Sequence, residues 1–294
     1  GGERYLSFLQ HTLPKESTFK DMKIVLDCAN GATYRVAPVL FERMGAEVES
    51  LFVTPDGKNI NQDCGSQHPE TLFANVLEKG ADLGLAFDGD GDRLIAVDEK
   101  GNVLTGDQVL IICAKTLKDR GQLKNNLVVS TVMSNMGFRV ALKDLGIEHI
   151  STKVGDRYVL EEMRSRKAIL GGEESGHIIF LQHHTTGDGL LSALQLVSAV
   201  QASDQSLSHV SSLMTLFPQV LVNVPVKIKP EISSVPELVE ALQKVETSLG
   251  QRGRVLLRYS GTEPVCRVMV EGERQEEIDE YARQIAEVIK QQLN

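Results

Sequence analysis

Apolar residues recur along this chain with two alternating periods, and the alternation predicts the architecture. KIVLD (23–27) is a short β-branched run closed by the turn-like CANG, followed by a helical stretch from about Tyr34 to Met44 and a strand in AEVESLFV. PETLFANVLEKG reads as a helix stopped by Gly80, and LGLAF (83–87) as a buried strand. The resulting βαβαβ order implies a mostly parallel sheet. RLIAVDEKGNVL then reads as two strands turning at Lys100-Gly101.

The same order begins again, which predicts an internal structural repeat without obvious sequence identity. A helix from about Asp107 to Lys118 precedes strand LVVST (127–131), a helix from Gly137 to Leu145, strand IEHIST (147–152), helix RYVLEEMRSR, and strands KAILG (167–171) and HIIFL (177–181). After Phe217-Pro218 the composition changes. VLVNVPVKI alternates, Val235, Leu238, Val239, Leu242 and Leu249 form a helical stripe, RVLLR and VCRVMVEG read as strands, and Ile278, Tyr281, Ala282, Ile285, Ala286 and Ile289 mark a last amphipathic helix. The fold class is therefore α/β: two related α/β domains with mixed, mostly parallel sheets at 1–105 and 106–218, then a small α+β domain at 219–294.

Length and composition refine this picture. At 294 residues, 41% hydrophobic and 24% charged, the chain can bury a substantial core, and length alone suggests about two domains where the pattern gives three. The net charge of −9, with no basic run interleaved with aromatics, argues against a nucleic-acid partner. Cys28, Cys64, Cys113 and Cys266 are scattered without a CxxC pair, which favours reduced thiols and a cytoplasmic setting over disulfides or zinc. The N-terminal stretch has no apolar signal region, and the longest apolar run, VLIICA at 109–114, is too short to span a bilayer.

The candidate chemistry sits in three loops. AFDGDGDRLIAVD (86–98) sets Asp88, Asp90 and Asp92 on alternate positions, separated by glycines that permit unusual backbone angles. Hard carboxylate oxygens on a looping chain suit Mg²⁺ or Ca²⁺. An EF-hand also places acidic residues at Asp88, Asp90, Asp92 and Glu99, but its sixth position is Arg93 where glycine is needed, and LIAV reads as a strand. GGEESGH (171–177) places Glu173, Ser175 and His177 on alternate positions: carboxylate and hydroxyl suit vicinal sugar hydroxyls, while His177 suits phosphate contact or proton transfer, and a polar turn is the plainer alternative. RYSGTEP (258–264) combines the Arg258 guanidinium, the hydroxyls of Ser260 and Thr262 and the amide of Gly261, a donor set for a phosphate dianion or simply a β-turn, with Arg267 a second phosphate contact or an exposed strand residue. His183-His184 reads as a solvated loop, and TTGDG (185–189) as the start of a helix capped by Asp188.

AFDGDGDR, TKVGDRY (152–158), GGEESGH and RYSGTEP, in that order, resemble the metal, domain-three pocket, sugar-binding and phosphate-binding loops of the α-D-phosphohexomutase superfamily. VLDCANGATYRVAP, TVMSNMG, VGDRYVLE, TTGDG and RVMVEG bring the chain nearest its bacterial phosphoglucosamine mutase branch. The resemblance covers nearly the whole chain and implies a C-terminal domain of the TATA-binding-protein-like kind. It further implies that Asp88, Asp90 and Asp92 hold Mg²⁺ and that Arg93 contacts the transferring phosphoryl group. Glu173 and Ser175 would hold the sugar, and Arg258, Ser260, Gly261 and Thr262 the nonreacting phosphate. Lys153 and His177 would be phosphate contacts or proton handlers, with Asp156 and Arg157 shaping the pocket.

The implied reaction interconverts glucosamine 6-phosphate and glucosamine 1-phosphate through a phosphoserine and a 1,6-bisphosphate, supplying amino-sugar and cell-wall precursors. In the family that serine lies in a first domain, in a motif resembling TASHNP. No such stretch occurs in these 294 residues, so the chain reads as domains two to four, with the phosphoserine domain a partner outside it. The rival readings are a phosphomannomutase or phosphoglucomutase and a catalytically inactive phosphosugar-binding module.

Overall fold

The computed structural model describes residues 1–261 and 263–294. Residues 1–134 with 138–215 form one compact unit, and 135–137 with 216–294 form a second. The first begins with a helix the apolar pattern did not announce, α1 (Gly2–His11), which buries Leu6 and Leu9. Then come β1 (Lys23–Asp27), α2 (Val36–Arg43), β2 (Glu47–Leu51), α3 (Glu70–Lys79), β3 (Leu83–Phe87), β4 (Leu94–Asp98) and β5 (Val103–Leu104). Gly80 ends α3 in the left-handed conformation, with φ 59°, as a helix-stopping glycine should.

The second run is α4 (Gly106–Asp119), β6 (Leu127–Thr131), α5 (Met136–Asp144), β7 (Glu148–Thr152), α6 (Asp156–Arg166), β8 (Leu170–Gly172), β9 (Ile178–Phe180), α7 (Gly189–Ser203) and α8 (Leu207–Ser211). β8 starts later than the apolar pattern suggests because Lys167, at φ 56°, still closes α6. The strand orders are β2-β1-β3-β4-β5 and β7-β6-β8-β9. In both sheets the first strand lies parallel to the second and third, while the fourth runs antiparallel to the third. The expected repeat is thus visible as topology.

The two sheets share one core. α4 is buried continuously from Gly106 to Ala114, and α7 from Gly189 to Leu194 and again from Leu196 to Val200. Helices buried on all sides need cover on all sides, and α4 touches β4 and β8 while α7 touches β4 and β9. The expected boundary at 105/106 therefore falls between two sheets but within a single hydrophobic cluster.

In the second unit, β10 (Gln219–Pro225), α9 (Pro236–Leu249), β11 (Gly253–Tyr259), β12 (Val265–Gly272) and α10 (Gln275–Leu293) form an antiparallel β10-β12-β11 sheet backed by the two helices. Its separate core joins Val224, Leu238, Val268, Ile278 and Ile285.

Candidate functional site

The aspartate loop, 88–93, leaves the carboxyl end of β3, the edge where parallel sheets place their ligand sites. The Asp88 side chain shapes it: Oδ1 accepts the N–H groups of Gly91, Asp92 and Arg93 at 3.0, 3.1 and 3.2 Å. Gly91 holds φ +77°, which any side chain would resist. Oδ2 of Asp88 lies 3.9 Å from Arg93 Nε, and that buried Nε has no hydrogen-bond partner among the described residues. Burial first, then the neighbouring Asp92 carboxylate, raises the Asp88 carboxyl above its usual range. Asp90 is exposed. Among the described residues no group of three acidic, histidine or cysteine side chains converges on one metal position, because Asp88 has committed one oxygen to the backbone and Asp90 points to solvent.

The loop rests on a second turn. Asp27, fully buried at the end of β1, accepts the Ala29 N–H at 2.9 Å and the Gly65 N–H at 2.8 Å. Ala29 and Asn30 are both left-handed, and the Ala32 N–H reaches Gly89 O at 2.8 Å. CANG looked like a plain turn in the sequence; its consecutive left-handed residues make it the floor of the aspartate loop.

The repeat brings the next loop alongside. GGEESGH joins β8 to antiparallel β9 as the aspartate loop joins β3 to antiparallel β4, and the two equivalent loops meet. Arg93 and His177 form an antiparallel bridge, and the Leu94 N–H donates to Gly176 O at 3.1 Å. His177 is 5% exposed, with Nδ1 3.2 Å from Asp92 Oδ2 and Nε2 accepting the Gly187 N–H at 3.0 Å. Glu173 accepts the Gly155 N–H at 3.0 Å through Oε1, which ties this loop to VGDR, and Ser175 is exposed. Lys153, Asp156 and Arg157 are exposed around the start of α6, where Arg157 pairs with Glu161 at 2.8 Å. The structure thus gathers Asp88, Asp92, Arg93, His177 and Glu173 into one chain of contacts.

The EF-hand alternative fails: residues 94–98 are β4, and Glu99 is taken by the N–H of Ser208 at 3.1 Å and by its hydroxyl. Asp188 caps α7 as expected, accepting the Leu191 N–H at 2.9 Å. His184 is exposed and His183 half-buried, its imidazole held below its usual range by burial.

In the second unit, Arg258 and Arg267 stand directly opposite each other on β11 and β12. Like charges in that register repel unless an anion offsets them; Arg267 has Glu263 at 2.9 Å, and Arg258 has no ion-pair partner among the described residues. Ser260 accepts the Glu263 N–H through Oγ at 3.2 Å, and Lys229, unmarked by any sequence motif, braces the turn by donating to Ser260 O and Glu263 O at 2.7 and 2.8 Å. A Cβ on Gly261 would meet nothing within 4 Å, so packing does not demand that glycine. Thr262 lies outside the described residues.

Sequence models of one family match the chain in order: phosphoglucomutase/phosphomannomutase alpha/beta/alpha domain II over residues 3–101, domain III over 105–217 and the C-terminal domain over 221–288. Phosphoglucosamine mutase of Syntrophus aciditrophicus is 61% identical over 290 residues, covering 99% of this chain and 65% of that protein. A phosphoglucomutase/phosphomannomutase family protein from Burkholderia thailandensis shares the fold with TM-score 0.80 at 21% identity, covering 100% of this chain and 65% of that one. Aspergillus fumigatus N-acetylphosphoglucosamine mutase, in complex with GlcNAc-6P and magnesium, does so with TM-score 0.76 at 19% identity, covering 98% and 69%. The chain spans less than two thirds of the length of the curated relatives that it matches. Three domain matches in consecutive order, over a repeat whose equivalent loops meet at Arg93 and His177, establish that the chain belongs to the phosphoglucomutase/phosphomannomutase family of the α-D-phosphohexomutase superfamily.

Proposed function

We propose that this chain carries domains II to IV of a phosphoglucosamine mutase, acting with a phosphoserine domain to interconvert glucosamine 6-phosphate and glucosamine 1-phosphate. The observation that carries the reading is the Arg93–His177 bridge, which sets the aspartate loop beside the Glu173–Ser175 loop. The 61% identity to a phosphoglucosamine mutase favours the amino sugar over mannose or glucose phosphates.

The residues present suit a divalent cation. Their donors are hard carboxylate oxygens, and burial together with the neighbouring Asp92 carboxylate disfavours the charge on Asp88. Asp88, Asp90 and Asp92 would hold Mg²⁺, which when bound supplies positive charge to the oxygens of a transferring phosphoryl group.

The chain's own groups bind and orient. Arg93, with its unpartnered Nε, holds the phosphoryl group in line between the serine oxygen and the sugar hydroxyl. The O–P bond to the sugar forms as the O–P bond to serine breaks, the proton of the attacking sugar hydroxyl ending on the released serine oxygen; the bisphosphate then turns around, and its other phosphoryl group returns to serine as the proton passes back to the sugar. Glu173 Oε2, left open by the Gly155 contact through Oε1, and Ser175 accept and donate to sugar hydroxyls in both orientations. Lys153 contacts phosphate, and Asp156 and Arg157 border the pocket. Arg258, Ser260, Gly261 and Thr262 hold the nonreacting phosphate, which would relieve the Arg258–Arg267 repulsion.

The test is the chain joined to the phosphoserine domain of a relative and assayed on glucosamine, glucose and mannose 6-phosphates. The proposal requires the highest kcat/KM on glucosamine 6-phosphate. A higher value on mannose or glucose phosphate would reassign it, and no turnover on any of them would point to a binding module.

A further inference from the structure

The two carbonyls that Lys229 holds decide which way one peptide of the RYSGTEP turn faces. Lys229 lies just beyond β10, where the Val226 N–H donates to Pro264 O at 2.8 Å and the Lys227 and Ile228 N–H groups donate to Leu293 O at 2.8 and 3.3 Å. The backbone leading to Lys229 is thus pinned between the turn and the end of α10, and Pro230 restricts Lys229 itself to extended angles. From that base the ammonium donates to Ser260 O at 2.7 Å and to Glu263 O at 2.8 Å. The Ser260 carbonyl therefore faces Lys229. Because the Ser260–Gly261 peptide is trans and planar, the Gly261 N–H points the other way. Gly261 is exposed, and its N–H has no partner among the described residues. The Ser260 hydroxyl is set as well: its oxygen accepts the Glu263 N–H at 3.2 Å, which leaves its hydrogen to donate.

Packing does not hold that orientation. Glycine admits both signs of φ, so a peptide beside it reverses readily, and a Cβ at 261 would meet nothing within 4 Å, so the space around it is open. A reversed peptide would present Ser260 O where the N–H now stands, and a carbonyl oxygen repels the anion that an N–H attracts. We infer that Lys229 is a positioning residue for the nonreacting phosphate: by holding Ser260 O and Glu263 O, it keeps the Gly261 N–H and the Ser260 hydroxyl available to that phosphate. Lys229 has this role on the reading of 258–264 as the phosphate-binding loop. It acts through the turn and not on the phosphate, since its ammonium faces the two carbonyls, on the side opposite the Gly261 N–H.

The test is nuclear magnetic resonance on the 294-residue chain, with serine labelled by ¹³C at its carbonyl and glycine by ¹⁵N, titrated with glucosamine 6-phosphate. Ser-Gly occurs only at 175–176 and 260–261, so the carbonyl-coupled amide signals belong to Gly176 and Gly261, and Ser175→Ala tells them apart. Lys229→Met should shift the Gly261 amide before any ligand is added and weaken glucosamine 6-phosphate roughly 10- to 150-fold, as for the loss of one charge-assisted contact. Lys229→Arg, whose guanidinium can donate to both carbonyls, should keep the amide in place and the affinity within about 3-fold, and Lys227→Met, which removes an equal charge two residues earlier, should do the same. An unshifted Gly261 amide in Lys229→Met, or an affinity in that variant equal to that of Lys227→Met, would overturn the inference and leave the phosphate loop standing. If glucosamine 6-phosphate left the Gly261 amide of the unaltered chain unmoved, or bound Arg258→Ala equally well, the phosphate reading and the inference would fall together.

Discussion

Replacing Asp27 with alanine tests the support beneath the aspartate loop. Asp27 has no solvent exposure, and its two oxygens accept two buried amides, Ala29 N–H at 2.9 Å and Gly65 N–H at 2.8 Å. Alanine orphans both, at about 1–3 kcal/mol each, or about 2–6 kcal/mol together. Part of that is offset, because burial holds the Asp27 carboxyl above its usual range despite the two amides, so the variant also loses a desolvated charge. The net destabilisation is about 1–4 kcal/mol. Urea unfolding followed by far-ultraviolet circular dichroism should show the transition of the first unit moving down by roughly 0.5–2 M while that of residues 216–294 stays. The pH dependence has a definite sign. A raised carboxyl stabilises fully below its unfolded value of about 3.9 and loses that contribution as pH rises through the folded value, so the margin of the unaltered chain over Asp27→Asn should narrow from acid toward neutral pH. An unmoved urea midpoint in Asp27→Ala would mean that this carboxyl does not hold the turn.

Arg258→Ala, in the chain joined to a phosphoserine domain, should weaken glucosamine 6-phosphate and glucosamine 1-phosphate alike, by roughly 10- to 150-fold in kcat/KM, the worth of one charge-assisted contact; added 1,6-bisphosphate should partly rescue it, and unchanged affinity for both would reduce RYSGTEP to a plain turn. Glu99→Gln should leave Mg²⁺ and Ca²⁺ binding unaltered by calorimetry, since that carboxylate belongs to Ser208; lost Ca²⁺ affinity would revive the EF-hand. The 294 residues alone should show no mutase turnover, for they contain no serine in a TASHNP-like stretch; measurable conversion of glucosamine 6-phosphate would contradict the assignment of phosphoryl transfer to a separate domain.

Local signals carried the elements far. The two periods placed β1, β3, β6 and both helices of the second unit, and Gly80 and Asp188 announced their caps through their own backbone and hydrogen-bonding preferences. The shared core was hidden because the long buried runs of α4 and α7 show no single face to tell one sheet from two. Residue type and spacing were enough to name the aspartates, Glu173 and Ser175 as candidates. The work of Asp27 and Gly187 was not legible, since it depends on backbone atoms brought near by the tertiary fold. A Gly-Asp-Gly beside a helix start was the available signal, and a helix cap explained it too easily. The amide that His177 Nε2 accepts likewise lies ten residues away.

On the proposed function, the aspartate loop of this chain takes part in moving a phosphoryl group between serine and an amino-sugar phosphate. The most direct measurement is a single turnover in which a radiolabelled phosphoserine domain, joined to this chain, is mixed with glucosamine 6-phosphate and the label is followed into the 1,6-bisphosphate. Transfer should depend on Mg²⁺ and fall at least about 100-fold in Asp90→Asn with little change in sugar affinity. Label transfer at an undiminished rate in Asp90→Asn, or in the absence of divalent cation, would contradict the proposed function.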